Sequence, residues 1–137
     1  MSYATESDMV SRFGRDQLVQ LTDEDGRGVI DSDKVTKALN DAAGEIDAHL
    51  EPRYQLPLAT VPISLVRIAC DLARYYLYTD AAPEQVNKRY DAAIKFLGAI
   101  ARGDIKLGAD DQLDDSENLV EFAGGGNVFD RSDDGFI

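Results

Sequence analysis

Apolar side chains recur at three- and four-residue spacing through most of residues 1–107, the mark of amphipathic helices rather than strands. Thr5 and Ser7 offer N-cap hydroxyls to a short segment carrying Met9, Val10 and Phe13. Gly14 interrupts it, and Asp16 can open a second turn with Leu18, Val19 and Leu21, so residues 5–21 read as one broken helix or two. A loop rich in Asp and Gly follows over residues 22–31. Asp31 or Ser32 then caps a long helix whose Val35, Leu39, Ala42, Ala43, Ile46 and Leu50 form one apolar stripe, and Pro52 ends it.

Between Tyr54 and Pro62 the pattern changes. Pro57 and Pro62 forbid a helix interior or a central strand, yet Tyr54, Leu56, Leu58 and Val61 are apolar. This segment is expected to lie extended, as a strap across the body or against a neighbouring subunit. Pro62 suits the first turn of the next helix, where Leu65, Ile68, Ala69, Leu72, Ala73, Tyr76 and Leu77 fall at helical spacing. Ile63, Val66 and Cys70 widen that face until the helix is nearly covered, which predicts the central and most buried element. Pro83 opens the last strong helix, with Val86, Tyr90, Ala93, Ile94, Leu97 and Ile100 inward, and Lys88, Arg89, Lys95 and Arg102 in water. Gly103 is the expected C-terminal stop, with Ile105 and Leu107 adding one short contact. The fold class is therefore all-α: a small bundle of four to five helices over residues 1–107, followed by a tail over 108–137.

The tail changes the electrostatic picture. It holds nine acidic side chains and one basic, −8 of a net −12, leaving −4 for residues 1–107. A nearly balanced body with a strongly acidic tail is a poor phosphate-binding surface, which disfavours DNA or RNA readout. The tail is also Gly-rich and poor in large apolar groups, a composition that does not fold alone. Its apolar islands (Leu119-Val120, Phe122, Val128-Phe129 and Phe136-Ile137) look like anchors of a segment that orders on a partner. No run approaches the ~20 apolar residues of a membrane span, and the N-terminus lacks the features of a secretory signal. The single cysteine, Cys70, fits a reducing compartment.

Candidate chemistry is sparse. Asp23, Asp25 and Asp31 occupy the first, third and ninth places of a calcium-loop-like run, with Gly28 at the sixth. Arg27 at the fifth and Lys34 at the twelfth put cations where oxygen ligands belong, so a tight turn at a helix N-terminus competes with ion binding. His49 and Cys70 lie in different helices and give no metal site of usual spacing. No catalytic residues, cofactor or resident metal are assigned, and the chain is expected not to be an enzyme. Carboxylates elsewhere are read as solvated. Tyr75 and Tyr78 share one side of their helix, at the core rim or at a protein interface.

The opening Tyr3-Ala4-Thr5 with Met9 and Arg12-Phe13-Gly14, then Leu21-Thr22-Asp23, Glu45-Ile46-Asp47, Arg53-Tyr54 and Leu56-Pro57-Leu58, carry a family resemblance. It continues through Cys70-Asp71-Leu72-Ala73-Arg74-Tyr75 and Arg89-Tyr90 to Phe129-Asp130-Arg131 and Gly135-Phe136. In this order they resemble a family of small proteins of Mu-like phages and prophages, similar in size and helical character to head–tail connectors (adaptors) of long-tailed phages. The resemblance implies a virion protein made in the bacterial cytoplasm, assembled as a ring of about twelve copies below the portal. Its implied partners are further copies of itself, the portal protein, a tail-side connector or terminator, and DNA that passes without specific binding; no membrane is involved. Tyr54, Leu56, Leu58, Tyr75, Tyr78, Phe122, Phe129, Phe136 and Ile137 are the candidate interface residues. A soluble binding module, calcium-responsive through Asp23–Asp31, is the competing reading.

Overall fold

A computed structural model describes residues 2–107 of the 137-residue chain. The described residues form five helices joined by loops: α1 (Glu6–Phe13), α2 (Arg15–Thr22), α3 (Ser32–Leu50), α4 (Ile63–Leu77) and α5 (Glu84–Arg102). The all-α expectation holds. Gly14 resolves the choice between one helix and two, because its φ of +90° breaks the path and serves at once as C-cap of α1 and N-cap of α2.

Each helix starts and stops for a local reason. Thr5 and Asp8 form a reciprocal capping box at α1. The Asp31 carboxylate accepts from the amides of Asp33 and Lys34 at the start of α3. Pro62 and Pro83 stand just before α4 and α5, where a missing N–H costs nothing. Gly103 ends α5 in the left-handed region at φ +84°. A side chain there would also collide with Arg53, whose guanidinium lies 2.8 Å from where a Cβ would sit.

Packing is centred on α4, which buries nine of its fifteen residues against α3, α5 and α1. Leu65, Ile68, Leu72, Ile46, Leu50, Leu97 and Ile100 are sealed from solvent. The short N-terminal helices are fastened by Met9 and Leu18 and by two polar ties. Tyr3, itself in the core, donates its hydroxyl to Asp47 of α3. Thr22 donates to the Leu18 carbonyl and accepts from the Asp31 amide, which joins the end of α2 to the cap of α3.

The Pro-containing segment packs on its own body. Tyr54 and Leu58 are buried in the core cluster, while Leu56 and Val61 are half-buried against it. Tyr54 also accepts, at its hydroxyl, the Leu107 amide at 3.2 Å, which anchors the end of the described chain beside the strap. One core assignment fails. Ile63 is expected to widen the buried face of α4, but it is 73% exposed at the first position of the helix, while Leu65 in the same turn is fully buried.

Candidate functional site

Along α4, Arg67, Asp71 and Arg74 follow one another at i, i+4 and i+7, the spacing that lines up side chains on one face. Arg12 in the last turn of α1 and Arg89 near the start of α5 converge on the same place, so four guanidiniums surround one carboxylate. Asp71 is only 4% exposed, and its Oδ2 lies 3.9 Å from Nη1 of both Arg67 and Arg89. Arg74 is 8% exposed and sits over the Phe13 ring, its guanidinium carbon 4.2 Å from the ring centre. The Arg74 Nε meets no hydrogen-bond acceptor among the described residues. Together with Phe13 and Gln85 these groups line an open cleft of about 290 Å³.

Burial pushes the Asp71 carboxyl above its usual range. Arg89, Arg74, Arg67 and Arg12 oppose this in that order without cancelling it. One carboxylate cannot balance four permanent cations. The local excess is positive in a chain whose net charge is −12.

This cluster corrects one sequence expectation: carboxylates outside the loop are expected in water, and Asp71 is buried. Arg89 is exposed, as its place on the helix predicts, and its guanidinium still comes within 3.9 Å of Asp71. The signal available in sequence was the Arg67–Asp71–Arg74 spacing. Arg12 and Arg89 join only through packing of three helices.

The remaining predicted site residues are placed as follows. Asp23 folds back on its own turn, accepting from the Arg27 amide at 3.0 Å and the Gly28 amide at 2.6 Å, and those bonds hold its carboxyl below the usual range. Asp25 faces Arg27 at 3.6 Å, Asp31 is spent on the α3 cap, and Lys34 reaches Glu24 at 2.9 Å. Among the described residues no group of three or more His, Cys, Asp or Glu is placed to hold a metal ion. Cys70 is sealed in α4, and burial pushes its thiol up to about 11, so it is protonated at neutral pH. His49 is half-buried with Nδ1 2.9 Å from the Glu45 carbonyl.

Of the interface candidates, Tyr54 and Leu58 are consumed by the chain's own core, whereas Leu56, Tyr75 and Tyr78 keep partial exposure. Tyr75 stacks on Tyr90 of α5 with ring centres 3.9 Å apart, and Tyr76 meets both rings edge-on. Tyr78 stays beside them at the α4 end, along a shallow depression with Tyr75, Asp80 and Asn87. Phe122, Phe129, Phe136 and Ile137 lie outside the described residues.

With this arrangement in view, the comparisons with known proteins identify the lineage. Residues 3–123 match the family model described as Bacteriophage Mu, Gp36. The chain belongs to this family. It is 38% identical over 138 residues to the Mu-like prophage FluMu protein gp36 of Haemophilus influenzae, covering 98% of each. To Gene product J of Escherichia phage Mu it is 33% identical over 141 residues, covering all of both. The Gp36-family match takes in both the helical body and the acidic run through Glu121, while Phe129, Phe136 and Ile137 lie beyond it. The resemblance to proteins of Mu-like phages and prophages thus holds along the whole chain. Among the described residues no helix is long and apolar enough to cross a membrane.

Proposed function

We propose that this Gp36-family chain is a non-catalytic head–tail connector (adaptor) subunit, assembled as a ring at the portal of a long-tailed phage and meeting a tail-side connector or terminator protein on its other face. The observation that carries the reading is the division of its surface into two unlike kinds. A cation-lined face is built where α1, α4 and α5 meet, on a chain that is otherwise strongly acidic. Closed rings are made by heterologous contacts, in which one patch meets a different patch on the next copy, so unlike faces are what a ring subunit needs. Overall negative charge also suits a channel that DNA must traverse without adhering. The acidic segment 108–137 is the part of the chain proposed to order on assembly.

Ile63, exposed at the start of α4 beside the strap, is the apolar side chain best placed to be covered in such an assembly. Ile63→Asp is expected to leave stability within about 0.5 kcal/mol, since an exposed position loses little and an acid at a helix N-terminus is favourable. Association with the portal of the same phage, followed by sedimentation velocity, is expected to weaken about tenfold, as for loss of an interface anchor. Unchanged association would remove this surface from the interface.

A further inference from the structure

Identical chains carrying −12 each repel one another, so a place where the sign reverses favours contact between copies. The cleft between α1, α4 and α5 is such a place: Arg12, Arg67, Arg74 and Arg89 face a single Asp71. Arg74 is nearly buried there, yet its Nε lacks an acceptor, and the Asp71 contacts to Arg67 and Arg89 are long at 3.9 Å. A buried guanidinium donor left unpaired is costly, and an arriving oxyanion would satisfy it. We infer that this cleft takes carboxylates from the acidic C-terminal segment, residues 108–137, of a neighbouring copy of this chain.

Three observations point to that segment, and the ring reading places it on a neighbouring copy. The segment carries nine acids against one arginine and includes the adjacent pairs Asp110-Asp111 and Asp114-Asp115, suited to two-pronged recognition by guanidiniums. Leu107, the last described residue, is tied to Tyr54 beside the strap, so the acids begin within a few residues of a fixed point. Seven or eight residues of chain span at most roughly 25 Å, about twice the radius of gyration of a body of this size, which sets the distance within which Asp114 and Asp115 can act. The cleft is open and has room for several water-sized groups, enough for carboxylate side chains. Duplex DNA is the less suitable partner, because the chain's overall charge repels it.

The inference rests on the ring reading, and the test separates the two. Three full-length preparations are incubated with the portal at low ionic strength and followed by sedimentation velocity: wild type, a cleft-reversed chain (Arg67→Glu with Arg89→Glu) and a segment-reversed chain (Asp114→Lys with Asp115→Lys). The wild type is expected to associate and each reversed chain to lose about tenfold or more in apparent affinity. A mixture of the two reversed chains is expected to recover, since each segment then meets an opposite charge on its neighbour. Reversed chains that associate like wild type overturn the role of the cleft and leave the ring reading standing. A mixture as weak as its components overturns the assignment to a neighbouring copy. Wild type that associates with neither its copies nor the portal contradicts the ring reading and this inference together. A short DNA duplex held by wild type and lost in the cleft-reversed chain, with self-association unchanged, also overturns it. Should the cleft-reversed chain lose its helical circular dichroism, Arg67→Gln with Arg89→Gln replaces it, with the same expected loss and a weaker dependence on salt.

Discussion

Leu72→Ala is expected to cost about 3–4 kcal/mol, a large share of the roughly 5–15 kcal/mol that holds a domain together. Leu72 is fully buried on α4, the helix that α1, α3 and α5 all contact. Removing its isobutyl group loses the transfer free energy of that group and leaves a space that surrounding helices fill only in part. For a body of this size a loss of that magnitude lowers Tm by on the order of 15 °C or more. Urea denaturation followed by circular dichroism measures it as a fall in the midpoint with little change in slope. A cost below about 1 kcal/mol would mean that α4 is not the centre of the core.

The second large effect is electrostatic and depends on pH. Because burial raises the Asp71 carboxyl in the folded chain, the folded state binds this proton more readily than the unfolded state does. Stability contributed by this group therefore rises as pH falls from neutrality through the folded-state value, and is complete below the unfolded one. Asp71→Asn mimics the protonated form. It is expected to be at least as stable as wild type at pH 7, and its stability lacks the gain on acidification that wild type draws from this residue. Asp71→Lys makes the opposite change, placing a fifth cation among Arg12, Arg67, Arg74 and Arg89, and is expected to cost about 3 kcal/mol or more. Chemical denaturation of the three proteins from pH 7 down through the ordinary carboxylate range compares them directly. A clear loss for Asp71→Asn at pH 7 would show that the ion pairs outweigh the burial of the charge.

The helices were legible because their signals are local. Thr5 and Asp31 cap, Gly14 and Gly103 interrupt, Pro52 ends a helix and Pro62 and Pro83 precede one, all within a few residues of the boundaries they set. The stripe of Val35, Leu39, Ala42 and Ile46 needed only the helical period. Ile63 was misplaced for the complementary reason: periodicity gives the direction of a side chain around a helix, not whether a neighbour extends far enough to cover it. Tyr54 and Leu58 were correctly apolar, but whether their own body or another subunit buries them depends on where the strap crosses, which is a tertiary property.

The arginine cleft was legible only in part. Arg67 and Asp71 form an i,i+4 pair that a sequence displays openly, and Arg74 stands one turn further on. Arg12 and Arg89 are distant in sequence, and only the packing of α1 and α5 on α4 makes four scattered cations into one site. Periodicity also hid the burial of Asp71, since a charged residue on a helix is solvated far more often than not.

The connector reading is tested most directly by mixing the purified chain with the portal of the same phage and imaging the product by electron microscopy. The account predicts a closed ring of this chain stacked on the portal, with the arginine-lined face of each copy turned toward its neighbour. An intact portal left bare beside a folded, unassociated chain would contradict it.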